Sequence, residues 1–238
     1  MKNFFTILGG MGTLATESFV RVLNSRTVAH TDQEYLNYML VNHATVPDRT
    51  AYILDNTKDS PVTALVEDIK QQNLLNPLFF VLTCNTAHTF YDELQAATTA
   101  PILHMPRIAA EKVVEIYQKE DGSKIKVALL ATQGTVNSGI YGKEFEADHF
   151  ELVYPDVEIQ GMVMDLIYRD VKEHQFLNKE LYEEILQKMI YEVGCDVAVL
   201  GCTELSLMYE ITKNLDYPIV DAQSEVIDKT LELALANR

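Results

Sequence analysis

The second half of this 238-residue chain nearly repeats the first half. Three short segments recur in the same order: ILGGMGT (7–13) matches LLATQGT (129–135), VLTCNT (81–86) matches VLGCTE (199–204), and PILH (101–104) matches PIVD (218–221). Single matches of this length arise by chance, but three in register favour two copies of one structural unit. The repeat therefore predicts two pseudo-equivalent domains.

Within each copy, short apolar runs alternate with longer amphipathic stretches, which is typical of a parallel sheet with crossover helices. The apolar runs are nearly continuous, as expected for strands that are covered on both faces. The predicted strands are Phe4–Leu8, Asn37–Val41, Leu78–Thr83, Ile102–His104, Lys126–Leu130, Glu151–Tyr154, Asp196–Leu200 and Ile219–Val220. Helical periodicity is found in Thr16–Ser25, Val62–Gln72, Ile108–Gln118 and Lys179–Val193.

These patterns predict an α/β protein with two pseudo-symmetric Rossmann-like (flavodoxin-like) parallel-sheet domains. We expect the first domain to comprise residues 1–105 plus 217–238, and the second to comprise residues 106–216. Because ligands of open parallel sheets bind beyond the carboxyl ends of the strands, we expect the active site between the two domains.

The net charge and the composition of the chain limit the kinds of molecule that we expect it to bind. The formal net charge is −16 and the pI is about 4.7, whereas neutralising nucleic-acid phosphates needs a surplus of Lys and Arg. We therefore expect neither a nucleic-acid partner nor a membrane partner. The opening MKNFFTILGGMG lacks the pattern of a signal peptide, and the three cysteines are sparse and odd in number. Both features favour a cytoplasmic protein with reduced thiols.

Two of the three cysteines occupy matching positions in the repeat. Cys84 and Cys202 each follow a predicted strand and precede residues that suit the start of a helix, Asn85–Thr86 and Thr203–Glu204. A thiol near a helix N-terminus has a lowered pKa because it feels the positive end of the helix dipole. Cys195, at the entrance of its strand, is interpreted as a packing residue.

Two thiols on opposite sides of one ligand can work as a pair of bases. One removes a proton from a carbon atom and the other delivers a proton to the opposite face, which inverts a stereocentre. Identical groups suit this role, since each must act as base in one direction and as acid in the other. A disulfide between the halves is the competing chemical interpretation, and it fits poorly with a cytoplasmic chain.

Several motifs resemble those of one family. GGMG with AT soon after it, VPDR, CNTAH, ATQGT and GCTEL are similar to motifs of the aspartate/glutamate racemase family, and of its aspartate racemases in particular, over residues 7 to about 222. The resemblance implies a cofactor-independent racemase that uses neither pyridoxal phosphate nor a metal and forms a homodimer. It also implies that Cys84 and Cys202 are the catalytic acid and base. Thr13 is a departure, since many relatives carry Pro at this position.

The resemblance implies an acidic amino acid as the small-molecule substrate, and such a diacid needs cationic partners. A guanidinium fork binds a carboxylate with two hydrogen bonds. Arg49 in VPDR follows the second strand, and Lys172 in LIYRDVKEHQF is the matching candidate in the second half. Two alternatives stay open: Arg49 as a surface side chain paired with Asp48, and Arg169 in the place of Lys172.

Groups at the strand ends are further candidates for substrate binding. They are Met11, Gly12, Asn85, Thr86, Thr132, Thr135, Thr203 and Glu204. Each has a structural alternative: a tight turn for Met11 and Gly12, helix caps for the Thr and Asn residues, and a favourable helix-dipole interaction for Glu204. His88 lies one helical turn after Cys84 and either tunes the thiolate or is a solvated or capping histidine.

Other functions remain open at this point. A hydantoin racemase, a maleate isomerase, an arylmalonate decarboxylase or a broad-spectrum amino-acid racemase could use the same cysteines on another substrate. GMGTLA (10–15) fits a dinucleotide-binding motif, but the second strand lacks the acidic residue that such a site expects at its end. A non-catalytic binding homologue is the third alternative.

Overall fold

The computed structural model describes residues 1–117, 119, 122–147, 149–212 and 216–238. One sheet contains β1 (Phe5–Gly9), β2 (Tyr38–Asn42), β3 (Phe80–Leu82) and β4 (Ile102–Leu103), in the order β2-β1-β3-β4. The other contains β5 (Ile125–Leu130), β6 (Phe150–Val153), β7 (Val197–Leu200) and β8 (Ile219–Asp221), in the order β6-β5-β7-β8. Every pairing is parallel. The predicted α/β fold with two matching parallel sheets is confirmed.

Helices connect the strands of both sheets. In chain order they are α1 (Thr13–Arg26), α2 (Arg49–Leu54), α3 (Pro61–Asn73), α4 (Tyr91–Gln95), α5 (Met105–Tyr117), α6 (Gln133–Ser138), α7 (Ile140–Glu144), α8 (Val157–Met164), α9 (Lys179–Gln187), α10 (Thr203–Thr212) and α11 (Ala222–Ala236). Short 3-10 helices cover Asp32–Glu34 and Thr86–Phe90, and π-helical segments cover Asp165–Glu173 and Lys188–Glu192. Gln118, where one predicted helix ended, lies outside the described residues.

The chain divides into two compact units. The first unit contains Met1–Met105 and Val226–Arg238, and the second unit contains Pro106–Glu225. Residues 217–225, which were expected in the first domain, belong to the second unit, because β8 pairs with β7 and so completes the second sheet. The chain therefore passes from one unit to the other inside α5 and again inside α11.

Each sheet is covered by an apolar core of its own. In the first unit, Leu65 and Ile69 lie one turn apart on α3 and pack with Leu8 and Phe80 of the sheet. In the second unit, Tyr182 on α9 belongs to the corresponding cluster, together with apolar residues of β5 and β7. These strands are buried along their length, which explains why they read as continuous apolar runs in the sequence.

Among the described residues, no helix combines the length and apolar character needed to cross a bilayer.

A close backbone approach explains the second glycine of the GGMG segment. Gly10 has a φ of +90°, a conformation that disfavours residues with a side chain. A Cβ atom at Gly10 would lie 2.4 Å from the backbone carbonyl carbon of His43, which follows β2. Gly10 thus allows the loop after β1 to pass against the loop after β2.

We predict that Gly10→Ala lowers the free energy of unfolding by about 1–3 kcal/mol, because it adds both backbone strain and a clash with fixed backbone atoms. Gly161→Ala is the matched control, since Gly161 lies in α8 and a Cβ atom there meets nothing within 4 Å. That control should raise stability by about 0.5–1 kcal/mol. Urea unfolding of both variants checks the pair, and equal effects would contradict the prediction.

Candidate active site

A network of threonine hydroxyls fixes the loop that follows β1. Oγ1 of Thr16 accepts a hydrogen bond from the amide of Gly10 at 3.1 Å and donates to the carbonyl of Gly12 at 2.8 Å. It also lies 2.9 Å from Oγ1 of Thr83, the residue after β3. A Cβ atom at Gly9 would lie 2.3 Å from the methyl group of Thr16. The glycines and Thr16 therefore hold the ends of β1 and β3 in register.

Met11 and Gly12 form the entry to α1. The Met11 side chain is buried in the core of the first unit, so only its backbone faces the loop. Gly12 is the N-cap of α1 and provides no side-chain acceptor for the first amides of that helix. Thr13, the expected proline position, is the first helical residue and is exposed. The first turn of α1 thus has no side-chain cap from Gly12, and the role of this turn in binding a carboxylate stays a prediction.

Arg49 is buried at the first position of α2, so the alternative of a surface side chain is wrong. Its guanidinium donates to the carbonyl of Met11 at 2.7 Å and to the carbonyl of Pro47 at 3.1 Å. Asp48 is the N-cap of α2 and accepts the amide of Ala51 at 2.7 Å. The arginine thus ties the loop after β2 to the loop after β1 and brings a cation to the carboxyl ends of both strands.

Cys84 follows β3 by two residues and is buried. Asn85 precedes the 3-10 helix Thr86–Phe90, and its side chain makes no cap hydrogen bond there. The capping alternative for Asn85 is therefore wrong, and its amide lies directly beside the thiol in sequence. Thr86 is buried within the same turn.

His88 is buried and bonds to the backbone on two sides. Nδ1 lies 2.9 Å from the carbonyl of Cys84, and Nε2 lies 3.2 Å from both the amide of Met105 and the carbonyl of Leu103. With the ring proton on Nδ1, the ring donates to Cys84 and accepts from Met105. Burial lowers the pKa of His88, although its backbone contacts oppose the shift. His88 is therefore a neutral, fully buried side chain and not the solvated histidine considered from the sequence.

The second unit repeats the glycine and threonine pattern in altered form. Thr132 is the N-cap of α6, and its Oγ1 accepts the amide of Thr135 at 3.2 Å. The two hydroxyl oxygens of these buried threonines lie 3.2 Å apart. Gly201, before the second cysteine, allows close packing, since a Cβ atom there would lie 2.9 Å from the Leu129 side chain. The helix-cap interpretation thus holds for Thr132.

Cys202 donates a hydrogen bond from Sγ to Oε2 of Glu204 at 2.9 Å, with both residues buried. The hydroxyl of Thr203 lies 3.5 Å from the same carboxylate oxygen. On the other carboxylate oxygen, Oε1, Nζ of Lys172 approaches to 3.6 Å. Glu204 therefore links a thiol to a cation and does more than stabilise the dipole of α10.

The surroundings of Cys202 favour its protonated form, so the lowered pKa expected for a thiol at a helix N-terminus is wrong for this cysteine. Burial raises its pKa well above the ordinary value, and the negative charge of Glu204 raises it further. The positive charge of Lys172 opposes this shift. The distance of 2.9 Å between sulfur and oxygen is that of a hydrogen bond in which the thiol donates to the carboxylate.

The π-helical segment Asp165–Glu173 separates the roles of two neighbouring cations. Arg169 forms ion pairs with Asp165 at 2.5 Å and with Asp170 at 2.6 Å, so its positive charge is paired with carboxylates of its own segment. Lys172 instead lies 4.5 Å from the ring centroid of Tyr168 and reaches Glu204. The structure thus brings Lys172, and not Arg169, to the second cysteine.

The predicted residues form one set in each unit. Met11, Gly12, Arg49, Cys84, Asn85 and Thr86 lie at the carboxyl ends of β1 to β3, and Thr132, Thr135, Lys172, Cys202, Thr203 and Glu204 lie in the second unit. Sequence reasoning missed Thr16 and Thr83. Their signal is a hydroxyl residue placed directly after a buried strand or in the first turn of a helix behind a glycine loop.

Comparisons with known proteins show the family of this chain. The sequence profile of the Asp/Glu/Hydantoin racemase family matches residues 8–230. The chain belongs to this family. It is 27% identical over 238 residues to the broad specificity amino-acid racemase RacX of Bacillus subtilis, covering 97% of each chain. It is 31% identical over 159 residues to the glutamate racemase of Carboxydothermus hydrogenoformans, covering 65% of this chain and 52% of that protein.

The fold is also that of a solved member of the family. The aspartate racemase of Picrophilus torridus superposes with a TM-score of 0.81 at 29% sequence identity, covering 99% of this chain and 95% of that chain. The glutamate racemase of Francisella tularensis, solved in complex with D-glutamate, superposes with a TM-score of 0.61 at 18% identity, over 98% and 81% of the two chains. At that identity, the second likeness concerns the fold alone.

We predict that Glu204→Gln lowers the pKa of Cys202, because it removes the negative charge that opposes thiolate formation. In the background Cys84→Ser with Cys195→Ser, where Cys202 is the remaining cysteine, the pH midpoint of alkylation by iodoacetamide should move down. Lys172→Met should move it up. Glu184→Gln, which changes an exposed glutamate of α9, is the control and should leave it unchanged. A midpoint insensitive to Glu204→Gln would refute the assignment.

Proposed function

We propose that this protein is a cofactor-independent racemase that interconverts L- and D-aspartate, with glutamate as the alternative acidic substrate. The observation that carries the proposal is the buried hydrogen bond between the Cys202 thiol and the Glu204 carboxylate. It keeps one cysteine in its proton-donating form in a chain that belongs to a racemase family and has a second cysteine, Cys84, at the matching strand end.

In the proposed mechanism, the Cys84 thiolate removes the α-proton from one enantiomer and the Cys202 thiol delivers a proton to the opposite face. The product leaves with inverted configuration, and the two sulfurs have exchanged protonation states. In the reverse direction, Cys202 must act as the base. Its raised pKa makes its thiolate a strong base, which suits the weakly acidic α-proton of an amino acid.

Substrate selection is proposed to use one cation from each unit. Arg49 and Lys172 are suited to bind the two carboxylates of an amino-dicarboxylic acid. The amides at the open N-terminus of α1, and the polar side chains of Asn85, Thr86, Thr132, Thr135 and Thr203, would complete the binding surface. Since Lys172 also pairs with Glu204, substrate binding and the state of the Cys202 proton are expected to be coupled.

Three further parts belong to the proposal; the family resemblance supports the first two, and the sparse cysteines support the third. The proposed enzyme needs no pyridoxal phosphate or metal, so the charge that develops at the α-carbon must be stabilised by the hydrogen-bond donors and cations of the site itself. It acts as a homodimer, and it works in the cytoplasm, where its thiols stay reduced. Activity after treatment with hydroxylamine and with EDTA tests the first part, and sedimentation equilibrium tests the second.

A broad-specificity racemase is the second candidate function, favoured by the likeness to RacX over nearly the full length of both chains. We predict that the purified protein, without added cofactor, racemises aspartate faster than neutral or basic amino acids, because each unit contributes a cation. Chiral chromatography across a panel of acidic, neutral and basic amino acids provides the measurement. Equal rates across the panel would replace the aspartate proposal with the broad-specificity one, and no racemisation of any member would refute both.

We predict that Cys84→Ala and Cys202→Ala each reduce racemisation by about 10²–10⁴-fold, since each removes one of the two proton-transfer groups. Cys195→Ala is the matched control. Cys195 is buried at the entrance of β7, and burial raises its pKa, so it is expected to remain an inert thiol. Initial rates and thermal melting of all three variants decide the point. Retained activity in either Cys84→Ala or Cys202→Ala, with an intact fold, would end the two-thiol mechanism.

A further inference from the structure

In the first unit, a chain of contacts joins the candidate catalytic cysteine to the start of α5. The carbonyl of Cys84 accepts a hydrogen bond from Nδ1 of His88, four residues later. Nε2 of the same ring accepts the amide of Met105, the first residue of α5. The imidazole is buried and neutral, and Nε2 also lies 3.2 Å from the carbonyl of Leu103, so both ring nitrogens contact the backbone.

In the second unit, a similar chain joins the other cysteine to the start of α11. The carbonyl of Cys202 accepts the amide of Ser206, again four residues later, at 3.2 Å. The hydroxyl of Ser206 donates to the carboxylate of Asp221 at 2.5 Å. That carboxylate also accepts the amides of Gln223 and Ser224, in the first turn of α11, at 3.2 and 3.3 Å.

The two chains of contacts are equivalent in position although their residues differ. Each starts at the carbonyl of a cysteine, passes through the residue four positions later and ends at the first turn of a helix. Those helices, α5 and α11, are the two in which the polypeptide passes from one unit to the other.

We propose that His88 and the Ser206–Asp221 pair are positioning residues, which hold each catalytic cysteine in a fixed place relative to the helix that leaves its unit. The inference rests on the proposed function, since it assumes that Cys84 and Cys202 transfer protons. Proton transfer needs donor and acceptor placed within a fraction of an ångström, and a small displacement of the reacting group costs rate. Loss of either contact chain should therefore slow the proton transfer made by its own cysteine.

The decisive observation is that the primary deuterium isotope effects for the two enantiomers change in opposite directions. Weakening Cys202 slows abstraction from the enantiomer whose α-hydrogen faces it, so that step becomes more rate-limiting and the primary deuterium isotope effect for that enantiomer rises. For the other enantiomer, abstraction by Cys84 becomes less rate-limiting and the isotope effect falls. A loss of active enzyme through misfolding would change neither isotope effect.

The test uses the full-length enzyme and the α-deuterated L and D forms of the amino acid that it racemises fastest, aspartate being expected. Ser206→Ala removes the hydroxyl and should lower kcat by about three- to tenfold, the equivalent of one hydrogen bond. It should raise the isotope effect for one enantiomer and lower it for the other. Ser206→Thr keeps the hydroxyl and should restore both values. His88→Ala should produce shifts of the opposite sense, and His88→Asn, which keeps an amide donor for Cys84, should reduce them.

The outcomes separate the inference from the function on which it rests. Isotope effects that shift in opposite senses, with rescue by Ser206→Thr, support the positioning role. Unchanged isotope effects in a folded Ser206→Ala variant overturn it, even if kcat falls. If His88→Ala does not fold, the comparison of Ser206→Ala with Ser206→Thr decides the matter alone. If Cys84→Ala and Cys202→Ala retain activity, the two-thiol function itself fails.

Discussion

Parallel strand pairing is the constraint on which the rest of the structure depends. A parallel sheet gathers the carboxyl ends of its strands at one edge, so residues far apart in sequence come together there. In the first unit this edge receives the glycine loop, Arg49 and Cys84, and in the second it receives Thr132 and Cys202. Loops at such an edge can change their chemistry without changing the sheet, which explains why the two halves keep their topology but differ in their polar residues.

The two cysteines, Cys84 and Cys202, lie in different electrostatic surroundings. The buried carboxylate of Glu204 joins the Cys202 thiol to the partly exposed Lys172, whereas the contact found at the Cys84 carbonyl is with the neutral imidazole of His88. Burial strengthens these interactions, since little water is present to screen them. A pseudo-symmetric fold can thus carry an asymmetric pair of thiols, with the proton resting beside the carboxylate.

Sequence periodicity located all eight strands of the described chain, because buried parallel strands are short, apolar and bounded by turn residues. It placed the start of α5 three residues late, since Pro106 is compatible with a first helical turn. Sequence periodicity did not predict the contact of Lys172 with Glu204 or that of Ser206 with Asp221. Those contacts join residues of different segments. The π-helical geometry that brings Lys172, and not Arg169, to Glu204 leaves no periodic pattern in the sequence.

The interleaved connectivity of the two units has a consequence for synthesis on the ribosome. Val226–Arg238 belongs to the first unit, and Arg26 of α1 bonds to Asp228 of α11 at 2.7 Å. This closing segment is translated only after the whole of Pro106–Glu225. The unit that begins first is therefore completed last, and the ion pair between Arg26 and Asp228 can form only after the inserted unit has been made.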